Sequence, residues 1–86
     1  MDKKDAKDLL VLTNSYNLEP VTILHPHLHN YKIVITKIKD LMKIEFFDPH
    51  DSIHRGSEVK YYHPGGKSGQ PRFDDASEEI EVFLER

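Results

Sequence analysis

YKIVITKIKDLMKIEFF, residues 31–47, decides the fold. In its first half Tyr31, Ile33 and Ile35 alternate with Lys32, Val34 and Thr36; in its second, Met42, Ile44 and Phe46 alternate with Lys43 and Glu45. A strand points successive side chains to opposite faces, so this period of two puts each apolar set on one side of a sheet. The β-branched residues of the first run also disfavour a helix, where they lose rotamer freedom against the preceding turn. Lys39-Asp40 between the runs suits a tight turn, although it lacks the glycine of the strongest hairpin signals. An antiparallel hairpin over 31–47 is therefore expected. Ile35, Ile38 and Met42 also fall at helical spacing, which leaves a helix over 36–44 as the competing reading.

Upstream, Ala6, Leu9, Leu10 and Thr13 recur at helical spacing, with Lys3, Lys4, Lys7 and Asp8 on the other side. Asp2 is placed to cap a helix over 3–16, and Asn14, Asn17 and Pro20 supply its stop signals. Val21 to Leu24 forms a short β-leaning run before Pro26. Downstream, Asp48-Pro49-His50-Asp51 is a turn, because proline fixes φ and the aspartates can bond their own backbone. Ser57 to Tyr62 is expected as a further strand. Residues 64–71 hold three glycines and two prolines and read as a loop.

The C-terminal segment supports two structures. Ile80, Val82 and Leu84 alternate with glutamates, as in a strand. Asp75 three residues before Glu78 is a capping-box pattern, and Ile80, Phe83 and Leu84 fit one helical face. Residues 77–86 are strand in one reading and helix in the other. The expected fold is α+β throughout: one domain, 1–86, with an N-terminal helix packed on an antiparallel sheet of three to five strands. Leu9, Leu10, Ile33, Ile35, Met42, Ile44 and Phe46 form the expected core, closed by Ile80, Val82 and Leu84.

Eighty-six residues support one modest core and no second lobe, which argues against a deep interdomain pocket. The absence of cysteine excludes a disulfide framework and a thiolate metal site. No apolar segment follows Met1-Asp2-Lys3-Lys4-Asp5, and none approaches the length of a membrane span, so a cytoplasmic protein with no membrane partner is expected. The net charge of −3 is unevenly spread: residues 52–73 sum to +3 and residues 74–86 to −5. The two segments either pair with each other or form a bipolar surface that steers a charged partner.

His25-Pro26-His27-Leu28-His29 is the most unusual stretch. On a strand the three imidazoles would share one face and could hold zinc, with His50, Asp51, His54 or His63 completing the shell. Pro26 interrupts a ladder, however, and the alternative is three solvated histidines in a loop. The first expectation is no metal site and no cofactor; the alternative is a site at His25, His27 and His29. The His50-Asp51 pair follows a turn proline and lacks the distant ligands that a metal phosphohydrolase requires. Gly66-Lys67-Ser68 does not complete a nucleotide-binding loop, because Tyr61 stands where that motif needs glycine and Pro71 blocks the following helix.

Basic and aromatic residues interleave between 55 and 73. Arg55, Lys60, Tyr61, Tyr62, Lys67, Arg72 and Phe73 are the expected partner-binding residues, since Tyr and Arg favour protein hot spots and the same mixture suits single-stranded nucleic acid. No nucleophile–base–acid set emerges to define a catalytic site. A small non-enzymatic binding or inhibitory protein acting through a protein partner is the first expectation. The alternatives are a nucleic-acid-binding protein and a histidine-dependent nuclease or metal-binding hydrolase.

Overall fold

The computed structural model describes residues 1–16, 19–39, 41–63 and 72–86. Helix α1 (Lys3–Tyr16) leads into strands β1 (Val21–Leu24), β2 (Lys32–Ile38), β3 (Leu41–Phe47) and β4 (Ser57–Tyr62), and helix α2 (Phe73–Leu84) follows. The strands form one antiparallel sheet in the order β1-β2-β3-β4, so each pairs with its neighbour in sequence. The fold is α+β, as expected from the patterning.

The capping carboxylate of Asp2 accepts the Asp5 N–H at 2.9 Å and starts α1. Ala6, Leu10 and Thr13 are buried, and Leu9 packs half-exposed beside them. Thr13 is tolerated inside because its hydroxyl donates to the Leu9 carbonyl at 2.8 Å.

The hairpin over 31–47 forms, and the helix over 36–44 does not. Pairing runs from Lys32 opposite Phe47 to Ile38 opposite Leu41, which leaves a two-residue connection at 39–40. Lys39 takes a left-handed φ of 52°, the sign that two-residue hairpin turns demand. Asp40 lies outside the described residues, as does the glycine-rich stretch 64–71.

Alternation sorts the sheet into two faces. Ile33, Ile35, Met42 and Ile44 are fully buried under the helices, with Phe46 and Tyr62 at the margins of the same face. Leu24, Val59 and Tyr61 point the other way and are exposed. The helices run antiparallel over the inner face: the Lys3 N–H donates to Glu81 at 2.7 Å, and Lys7 pairs with Asp74 at 2.7 Å.

The C-terminal segment is a helix. Phe73, Ala76, Ser77, Ile80, Phe83 and Leu84 are buried at i, i+3, i+4, i+7, i+10 and i+11, a spacing that only a helix brings to one face. Val82 falls off that stripe and is 55% exposed, which corrects its expected place in the core. Asp75 accepts the Arg72 N–H at 2.9 Å, which holds the first turn. The small residues Ala76 and Ser77 allow close approach, and the Ser77 hydroxyl is satisfied by the Phe73 carbonyl at 2.6 Å. Among the described residues no helix is long and apolar enough to cross a membrane.

Candidate functional site

Among the described basic-aromatic residues of 55–73, two are buried. Tyr62 is 1% and Phe73 5% exposed; both belong to the core, which corrects their expected place at a partner surface. Register sets Tyr62 opposite Met42 on the inner face, and Phe73 falls on the buried stripe of α2. Tyr61 lies on the open face of the sheet, Arg55 in the loop after β3, and Arg72 just before α2. Lys67 lies outside the described residues.

Lys60 faces the helix side and is held between two carboxylates, Glu79 at 2.9 Å and Glu58 at 3.4 Å. The hydrogen bond to Glu79 is the main cause that raises the Lys60 pKa. Tyr62 donates its hydroxyl to the same Glu79. Burial, then that hydrogen bond, pushes the Tyr62 phenol well above its ordinary range. The basic segment and the acidic one therefore meet, at Lys60 and Glu79.

The histidine cluster does not converge. β1 ends at Leu24, so His25 begins a loop rather than continuing a strand. The His25 ring turns inward, and its Nδ1 accepts the N–H groups of His27 at 3.0 Å and Leu28 at 2.9 Å. An Nδ1 that accepts two hydrogen bonds carries no proton, so the proton is on Nε2. Nε2 is enclosed and has no hydrogen-bond partner among the described residues. The ring meets Tyr31 and Phe83 edge-on, with centroids 5.8 and 6.1 Å away. Both nitrogens of His25 are withheld from a metal, while His27 and His29 are exposed. That arrangement excludes the three-histidine site as drawn on a strand.

A concavity of about 460 Å³ lies elsewhere, between α2 and the β3–β4 end of the sheet. Its apolar floor is Phe46, Val82 and Phe83. Six carboxylates line it: Asp48 and Asp51 from the β3–β4 loop, Glu58 from β4, and Asp75, Glu78 and Glu79 from α2. Among the described residues that line it, only Lys60 and Arg86 oppose them. Helical spacing sets 75, 78, 79 and 82 along one stripe of α2, and strand alternation turns Glu58 and Lys60 towards it.

The loop wall is tightly built. Asp48 Oδ1 accepts the His50 N–H at 2.8 Å, and its Oδ2 accepts Arg86 Nη1 at 3.1 Å. The Arg86 guanidinium lies 5.0 Å from the Phe83 ring centre. Asp51 Oδ1 accepts the N–H groups of Ile53 and His54, both at 3.0 Å, and its Oδ2 bonds His54 Nδ1 at 2.8 Å. These bonds, that of the His54 N–H first, hold the Asp51 carboxyl below its usual range. Arg55 and Gly56 follow at φ 54° and 88°, and the reversed backbone carries the chain into β4. Glu58 Oε2 lies 3.8 Å from His54 Nδ1. Asp51, His54 and Glu58 thus gather one imidazole and two carboxylates within 4.8 Å, the group among the described residues best placed to hold a metal ion.

No part of this site was legible as a motif. Its carboxylates span residues 48 to 79, and only the register of β4 and the helical state of 73–84 unite them. The acidic density after Asp74 was one available signal, and Asp51 and His54 as candidate metal ligands were another. No protein-family model matches the chain, and the curated proteins and solved structures yield no match either.

Proposed function

We propose that this is a non-enzymatic binding protein that acts through a protein partner, and that the acidic cleft receives a basic side chain of that partner. The observation that carries the reading is the cleft's lining, among the described residues, of six carboxylates against two cations over an apolar floor. A lysine or arginine needs both: apolar surface for its methylenes and anionic oxygens for its head. Two basic side chains of the protein itself already bind this way. Arg86 lies over Phe83 and pairs with Asp48, and Lys60 sits between Glu58 and Glu79. The negative field disfavours nucleic acid at the cleft, since phosphates demand cations. The nucleic-acid alternative would have to use Arg55, Tyr61 and Arg72 on other surfaces.

Fluorescence anisotropy separates the two. A labelled arginine- and lysine-rich peptide should bind saturably at low salt and weaken as salt rises, because exposed charges are screened. A single-stranded oligonucleotide of the same length should not bind. The doubly exposed variant Glu78→Lys/Val82→Lys should lose peptide binding with its fold intact. Oligonucleotide binding tighter than peptide binding, or peptide binding indifferent to the variant, overturns the reading.

A further inference from the structure

We propose that Asp51, His54 and Glu58 form a binding site for a divalent transition-metal ion of the zinc type. The proposal does not rest on the partner reading. The cluster differs from an acidic patch in having an imidazole nitrogen at its centre. His54 Nδ1 lies 2.8 Å from Asp51 Oδ2 and 3.8 Å from Glu58 Oε2. A tetrahedral zinc ion with bonds of about 2.1 Å holds neighbouring ligand atoms about 3.4 Å apart. These two separations bracket that edge and the third pair lies within 4.8 Å, so admitting the ion takes an opening of the His54–Asp51 pair and an adjustment of Glu58. Mixed imidazole and carboxylate donors select zinc and its neighbours over magnesium or calcium, which require an all-oxygen shell.

The loop supplies what a ligand needs besides position. Asp51 Oδ1 is anchored by two backbone N–H groups, which leaves Oδ2 directed at His54. In the hydrogen-bonded state Nδ1 carries the proton that it shares with the carboxylate. Binding moves that proton from Nδ1 to the outer Nε2, or to solvent if the ring was doubly protonated, and the freed Nδ1 lone pair ligates the ion. Asp51 and Glu58 both line the acidic cleft, so the fourth position opens to water there. The surrounding carboxylates add a favourable field for a dication.

Isothermal titration of the whole chain with zinc chloride, alongside the visible spectrum of the cobalt(II) complex, tests the site. One ion should bind saturably, and cobalt should give the intense absorption of a four-coordinate centre. His54→Ala should weaken zinc at least about ten-fold, because losing a direct ligand costs no less than losing its supporting hydrogen bond. Glu58→Gln, which keeps the loop's backbone contacts, should weaken it as well. The double variant His27→Ala/His29→Ala should bind as the parent does. Absence of saturable binding overturns the proposal, and so does binding that survives His54→Ala or disappears with His27 and His29. Peptide binding plays no part in these readouts, so either proposal can fail alone.

Discussion

Tyr62, the last residue of β4, donates its hydroxyl to Glu79 in the middle of α2. The same carboxylate accepts Lys60 Nζ from the same strand at 2.9 Å. Two side chains two residues apart on an edge strand thus grip one helical residue, and the cleft wall depends on that grip. Inward-facing Lys60 and Glu58 also guard the β4 edge, since a charge turned into the fold makes edge-to-edge pairing with another sheet unfavourable.

Tyr62→Phe should keep the ring in the core and remove only the bond to Glu79. The expected loss is about 1.5–3 kcal/mol, the cost of one hydrogen bond to a charged acceptor, read as a lowered denaturant midpoint at unchanged slope. The phenol pKa is raised in the folded state, so the folded chain keeps a proton that the unfolded chain releases. Stability from this group is full below the ordinary phenol value of 10.0 and falls as pH rises above it. The parent should lose stability more steeply than Tyr62→Phe in that alkaline range. Equal slopes would remove the raised pKa from the account.

Ile80 and Val82 distinguish helix from strand in solution. Ile80 is fully buried and Val82 is 55% exposed, although a strand would treat them alike. Ile80→Ala should cost about 2–4 kcal/mol, as should Ile44→Ala in the centre of the sheet. Val82→Ala should stay within about 0.5 kcal/mol of the parent. Comparable losses at 80 and 82 in chemical denaturation would contradict the helical face.

His25 holds its loop through Nδ1. His25→Phe keeps an aromatic ring against Tyr31 and Phe83 but removes the acceptor of two N–H groups. The amides of His27 and Leu28 should then exchange hydrogen markedly faster, with a stability loss of about 1–3 kcal/mol for the unpaired donors. Unchanged exchange at both amides would show that the imidazole does not hold the turn.

The elements governed by local pattern were legible from the residues alone. The helix over 3–16, the strands at 21–24 and 57–62 and the hairpin of 31–47 follow from period, capping and β-branching, which act within a few residues of chain. The C-terminal segment carried both periods at once. Burial of Ala76 and Ser77 distinguishes the helix, and no local rule ranks a serine as core. Tyr62 and Phe73 looked like surface aromatics because lysines and glycines surround them in sequence. In the fold, the helix side of β4 and the first turn of α2 face inward, so both rings join the core. The cleft belongs to tertiary structure, whereas Asp51, His54 and Glu58 lie within eight residues and are gathered by the loop's own turn. Carboxylates that repel one another along the chain are brought together by strand register and helix packing, because burying the apolar face of α2 outweighs their mutual repulsion at a solvated rim.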